Sequence, residues 1–132
     1  MNYLVEGTKH TPFVKISSAE RSIQIKGVSH PEHALSFYLP IIEKLKTLVN
    51  LHDKGTWKME VFMEYFNTSS AKCLFDIFRQ VKHMKTQGME INIKWCYEEE
   101  DEDMMETGED YNELLDLDFL FVEVPYEEMS SI

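Results

Sequence analysis

The chain has 132 residues, 43% of them hydrophobic, and a formal net charge of −11. That length and apolar content suit one domain around a single core. They leave no apolar run long enough to cross a bilayer as a helix. The charge is divided unevenly: residues 1–97 carry +4 and hold all 13 Lys and Arg, while residues 98–132 carry −15 with no cation at all. Such a balance repels nucleic acid, and no basic stripe interleaved with aromatics offsets it, so a nucleic-acid partner is excluded.

The opening residues, MNYLVEGTKH, have no basic region followed by an apolar block, so no secretory signal is expected. Cys73 and Cys96 lack the spacing of a disulfide framework. The chain therefore reads as cytoplasmic, with two free thiols.

Along the chain, the pattern alternates between period 2 and period 3.6. A short strand is predicted at 3–5. "TPFVKIS" (11–17) sets Pro12, Val14 and Ile16 on one side, and "RSIQIKG" (21–27) sets Ile23 and Ile25 on one face. With the turn "SSAE" between them, these two form a predicted hairpin. From Pro31 to about His52, Leu35, Tyr38, Leu39, Ile42, Leu45 and Val49 recur at helical spacing. Pro40, inside that run, is expected to kink or split the helix. "TWKMEVFMEYF" (56–66) alternates Trp57, Met59, Val61, Met63 and Tyr65 against a face that turns from charged to aromatic. A helix follows from Ser70 to about Thr86 on a stripe of Leu74, Ile77, Phe78, Val81 and Met84, closed by Gly88. "EINIKWCY" (90–97) is the next strand. Residues 98–108, which include "EEEDED", read as a solvated, self-repelling and mobile loop. A short helix at 109–117 carries Tyr111, Leu114, Leu115 and Leu117, and "DFLFVEV" (118–124) is the last strand. Strands alternating with helices predict an α/β domain spanning 1–132. Its sheet would be mixed, with five or six strands and two main helices packed on one side.

Few stretches carry the marks of chemistry. His30 and His33 flank Pro31, but Pro31 suits the first helical position and places His30 at the cap, so no metal site is predicted. A calcium loop starting at Asp101 fits Asp103 at its third position and fails at Met105 and Glu106. No nucleotide-binding or hydrolase motif occurs, and no cofactor is expected. Cys73, drawn as a nucleophile beside a histidine, would make a small thiol enzyme, but its place next to Leu74 speaks for packing. What remains is "EYFNTSSAKCL", where three hydroxyls, Thr68, Ser69 and Ser70, stand between a strand and a helix. One of Asn67, Thr68 or Ser69 is expected to cap that helix, with Asn67 holding the turn. The rest is either more capping chemistry or a modification site. The positive end of a helix tolerates a phosphate, and a hydroxyl there could be phosphorylated without unfolding the domain.

The stretch "EYFNTSSAKCL", preceded by "WKMEVFM" and by "HPEHALSFYLPIIEKLKTLV" and followed by the closing "DFLFVEV", resembles the SiaC family of bacterial regulatory phosphoproteins. The resemblance covers nearly the whole chain, and the Y-F-N-T-S-S-A-K run is its most specific part. It implies a fold similar to that of the anti-sigma-factor antagonists, the STAS domain. It implies that Thr68 is the phosphosite, supported by Asn67, Ser69, Ser70 and Lys72. Lys72 and Arg79 are nearby cations suited to partner contacts. The resemblance further implies a partner-switching circuit. A cognate Ser/Thr kinase would phosphorylate the protein, and a metal-dependent phosphatase of the PP2C type would reverse this. The unmodified form would bind and activate a diguanylate cyclase, the maker of cyclic di-GMP. The alternative within the same logic is an anti-sigma-factor antagonist acting on transcription.

Overall fold

A computed structural model describes residues 2–51 and 54–125. Six strands form one sheet: β1 (Asn2–Val5), β2 (Phe13–Ser17), β3 (Ser22–Ser29), β4 (Thr56–Phe66), β5 (Glu90–Glu98) and β6 (Leu120–Val124). Their order across the sheet is their order in the chain. The pairs β1–β2 and β2–β3 are antiparallel, and β3 to β6 run parallel to one another. Each parallel step needs a crossover, and three helices supply them: α1 (Ala34–Leu48), α2 (Thr68–Thr86) and α3 (Glu102–Leu115). The predicted mixed sheet is thus present at its upper strand count, and the third helix, expected to be short, is a full 14 residues. No helix of the described residues is long and apolar enough to cross a membrane.

The helices share one face of the sheet. Val14, Ile16, Ile23, Ile25, Trp57, Met59, Val61, Ile91, Ile93 and Trp95 point to that side and join the buried faces of α1, α2 and α3 in one core. The alternate positions, Lys58, Glu60, Asn92 and Lys94 among them, face the other way. Phe62, Cys96 and Val124 form a small separate cluster on that second face. Alternation in β4 holds as far as Met63 and then breaks. Gly27 pairs with Met63 but Val28 pairs with Tyr65, so Glu64 is the extra residue of a bulge. Tyr65 was expected on the inner face. The bulge turns it out, 53% exposed, and Phe66 packs against the core instead.

α1 begins later than expected. His33, not His30, is its N-cap residue, and Pro31 precedes the helix. The predicted far limit, His52, lies outside the described residues; the described chain leaves α1 through a 3₁₀ turn at Val49–Leu51. The buried stripe is Ala34, Tyr38, Ile41, Leu45 and Leu48. It shares Tyr38 and Leu45 with the expected stripe, but Leu35 and Leu39 are exposed. Nor does Pro40 split the helix. It lies on the solvent side, where the one carbonyl left without its helical partner, that of Ser36, can turn to water.

α2 buries the predicted side chains: Leu74, Ile77, Phe78, Val81 and Met84 are all fully inaccessible. It ends as expected at Gly88, whose φ of 99° suits a residue without Cβ. The Gly88 N–H donates to the Lys85 carbonyl and the Met89 N–H to that of Met84, which closes the last turn as a Schellman motif.

The largest departure is the acidic run. Residues 98–108 are not a loop: β5 extends to Glu98, and α3 starts at Glu102. The acids themselves explain this. The Asp101 carboxylate accepts from the Met104 N–H at 3.1 Å, and Glu102 and Asp103 occupy the first turn, where the helix end favours negative charge. Met104, Gly108 and Tyr111, spaced by one turn each, are the buried face. Gly108 lies under Trp95, where an added Cβ would fall 2.4 Å from the indole nitrogen. That nitrogen donates to the Met104 carbonyl at 2.9 Å. Of the expected leucine stripe, Leu114 is 71% exposed and Leu117 is buried just beyond the helix. Gly108→Ala is therefore expected to force α3 and Trp95 apart and to destabilise the protein by about 1–3 kcal/mol, as overpacking does. Urea unfolding of the variant checks this, and an unchanged midpoint would refute the packing.

Candidate functional site

The turn between β4 and α2 is fixed at three points. The Asn67 N–H donates to the Ser29 carbonyl at the end of β3, at 2.9 Å. The Asn67 side chain accepts from the Ser70 N–H at 2.9 Å, so Asn67 is the helix cap. The Ala71 N–H donates to the Asn67 carbonyl and starts the helical ladder. From the other side, the Tyr111 hydroxyl donates to the Ala71 carbonyl at 2.7 Å, which ties α3 to the first turn of α2.

The three hydroxyls of the turn have different surroundings. Ser70 is fully buried. Its Oγ accepts from Ser29 Oγ at 2.8 Å, and Ser29 Oγ lies 2.6 Å from the Tyr38 hydroxyl. Since the Ser29 proton is used on Ser70, Tyr38 donates to Ser29. This buried chain joins β3, α1 and α2 and satisfies all three groups. Ser69 is exposed, and its hydroxyl donates to Asn67 Oδ1 at 3.2 Å. Thr68 is exposed, and its hydroxyl has no side-chain partner among the described residues. Thr68 and Ser69 are the first two residues of α2, so their N–H groups have no intrahelical acceptor. No acid stands in that first turn. The sequence pattern did not reveal that Ser70 belongs to the core. Its spacing from Leu74, Ile77 and Val81 on one helical face is the signal that could have.

Lys72, with a side chain 81% exposed, and Arg79 both reach Asp76, at 3.6 and 3.5 Å. A groove between the starts of α1 and α2 is lined by Glu32, His33, Leu35, Ser69, Lys72, Cys73 and Asp76 among others. The exposed Leu35 therefore stands beside the serine and lysine of the turn. Cys73 is on the same helix but buried, and burial, with Asp76 adding to it, pushes its thiol up from the ordinary value. A nucleophilic cysteine needs the opposite shift, so the thiol-enzyme alternative has no support. His30 and His33 are not brought together as a pair: His30 Nδ1 lies instead against His10 Nδ1.

Burial also pushes Tyr38 up to about 12 and Cys96 to about 11, and it raises Tyr111. In the unfolded chain these groups ionise first, near 10.0 for tyrosine and 9.0 for cysteine. A raised folded value means that stability is fully present below the unfolded value and is lost as pH climbs towards the folded one. The urea midpoint is therefore expected to fall between about pH 9 and about pH 12, with tyrosinate absorbance from Tyr38 and Tyr111 lagging until the protein unfolds. Equal midpoints at both ends of that window would contradict the burial of these groups.

A model of the SiaC family regulatory phosphoproteins matches residues 5–124. The chain belongs to that family. Membership makes it a regulatory phosphoprotein rather than an enzyme. The chain is 23% identical over 109 residues to an uncharacterized protein of Pseudomonas aeruginosa (strain UCBPP-PA14), covering 83% of this chain and 86% of that one. Among solved structures, SiaC of Pseudomonas aeruginosa superposes with a TM-score of 0.80 at 21% identity, over 96% of this chain and 99% of that one. SiaC in complex with the diguanylate cyclase SiaD that it activates, from the same organism, gives a TM-score of 0.79 at 22% identity, over 94% and 99%. At these identities the structures show that the SiaC fold is shared: the six-stranded mixed sheet and its helices are those of the family.

Proposed function

We propose that this chain is the phosphorylation-controlled element of a partner-switching circuit, with Thr68 as the switch. A dedicated Ser/Thr kinase phosphorylates Thr68, and a PP2C-type phosphatase removes the phosphate. In its unmodified form the protein binds a cytoplasmic diguanylate cyclase and activates it. The observation that carries this reading is the contrast within one turn: Ser70 is buried and bonded to Ser29, Ser69 is tied to the cap, and Thr68 is exposed at the open end of α2, its hydroxyl free of side-chain partners among the described residues. Within the N-T-S-S run, that leaves Thr68 as the hydroxyl best placed for a kinase. The choice of a cyclase as effector is supported by the solved complex of SiaC with SiaD. Asn67 and Ser70 hold the turn, while Lys72, Arg79 and the exposed Leu35 are suited to partner contact.

Co-purification from the native host tests this. A Thr68→Ala protein is expected to retain a diguanylate cyclase that Thr68→Asp does not. An anti-sigma factor in place of the cyclase would establish the transcriptional alternative. Identical partners for both variants would remove Thr68 from the switch.

A further inference from the structure

His10 and His30 are twenty residues apart in sequence and face each other at the ends of the β2–β3 hairpin. Their Nδ1 atoms lie 3.3 Å apart, with ring centroids at 4.8 Å and planes crossing at 83°. Both backbones are pinned. The His30 N–H donates to the His10 carbonyl at 2.8 Å. The segment carrying His10 is closed by Thr8, whose Oγ1 accepts from the N–H groups of His10 and Thr11 and lies 2.7 Å from Thr11 Oγ1. The fold therefore fixes the two backbones and brings the rings together at the surface.

As a hydrogen bond, this contact is weak. One neutral imidazole would have to donate to the other, and at 3.3 Å that bond is long. The separation fits something else better. Two nitrogens at about 2.0–2.1 Å from a tetrahedral zinc ion stand about 3.3–3.4 Å apart, the edge of the tetrahedron. We propose that His10 and His30 form a two-histidine chelate for a first-row divalent ion of the zinc class, bound through both Nδ1 atoms. Imidazole nitrogens suit zinc, copper and nickel rather than magnesium or calcium. Among the described residues no third His, Cys, Asp or Glu completes a cluster with the pair. The ion would therefore keep two protein ligands, and its remaining positions would be open to water. The site lies close to the Thr68 turn: Ser29, next to His30, accepts from the Asn67 N–H, and the exposed Tyr65 ring is 6.1 Å from the His30 ring. It does not depend on the switch, and either reading can fail alone.

Titration of the full chain with zinc chloride, followed by calorimetry and by the histidine ring resonances in NMR, tests the proposal. One zinc per chain is expected, with the rings of His10 and His30 perturbed before those of the other histidines. Outer partners of metal ligands already change affinity by about 10–100-fold, so His10→Ala and His30→Ala should each weaken binding at least tenfold. His33→Ala should leave it unchanged. Zinc that binds the His10→Ala and His30→Ala proteins as tightly as the parent would overturn the site. So would an unmodified protein whose His10 and His30 resonances do not respond to zinc, a result that needs no variant to fold.

Discussion

Phosphorylation of Thr68 is expected to weaken effector binding on the order of a hundredfold while leaving the fold intact. The two halves of that result have separate causes. Within the domain, the phosphate stands at the first position of α2, where the N–H groups of Thr68 and Ser69 have no intrahelical acceptor and no acid stands in the first turn. Lys72, one turn along and largely exposed, adds a cation. About −1.5 to −2 charges at that end are therefore tolerated. Across an interface the balance reverses. A partner surface shaped around a neutral hydroxyl would have to bury a dianion without a counter-ion, a penalty of about 3 kcal/mol or more. At 1.4 kcal/mol per factor of ten, about 3 kcal/mol is a hundredfold, enough to release a micromolar complex. Calorimetric titration of the effector against both forms measures the ratio. Thermal unfolding of the two forms should give the same midpoint or a higher one for the phosphoprotein. Thr68→Asp is a partial mimic, with one charge on a shorter arm. If fully phosphorylated Thr68 binds the effector as well as the unmodified residue does, the hydroxyls of this turn are capping chemistry alone.

The same turn marks how far a linear reading reaches. Asn67 as holder of the turn, the apolar stripe of α2 and the extent of β4 were legible because each rests on local periodicity or local hydrogen bonding. Ser70 was not, because a buried serine adds nothing to a hydrophobic stripe; its partners Ser29 and Tyr38 come from two other elements. Tyr65 was misplaced for a related reason. A single bulge at Glu64 reverses every later side chain of a strand, and nothing in an alternating pattern announces it. The acidic run misled most. Its charge density reads as a repelling loop, yet three of those acids, Asp101, Glu102 and Asp103, are what a helix start accepts. The decisive contact of that helix is made by Gly108, whose contribution is the absence of a side chain beneath Trp95. The β2–β3 hairpin was legible, but the meeting of His10 and His30 at its open end depends on a register that the alternating pattern left open.

Phe78→Ala is expected to cost about 3–5 kcal/mol, the largest loss of any single truncation considered. The ring is fully buried where α2, α3, β5 and the segment leading into β6 converge. Its centroid lies 5.0 Å from that of Phe119, 5.7 Å from Tyr111 and 5.9 Å from Trp95. Three aromatic neighbours from three directions cannot all move in to fill the space, so a cavity should remain and the loss should fall in the upper part of the usual range. The effect should also reach the switch. Tyr111 packs on Phe78 and holds the Ala71 carbonyl, so a looser aromatic cluster weakens the support of the α2 first turn. Denaturant unfolding reads the loss as a lower midpoint at unchanged slope. Leu114→Ala is the matched control. Leu114 lies on α3 but is 71% exposed, so its truncation should change stability by no more than about 0.5 kcal/mol. A leucine stripe facing the core would give the opposite pattern, with a large loss at Leu114. A small loss at Phe78 together with a large one at Leu114 would mean that α3 packs on a different face from the one described.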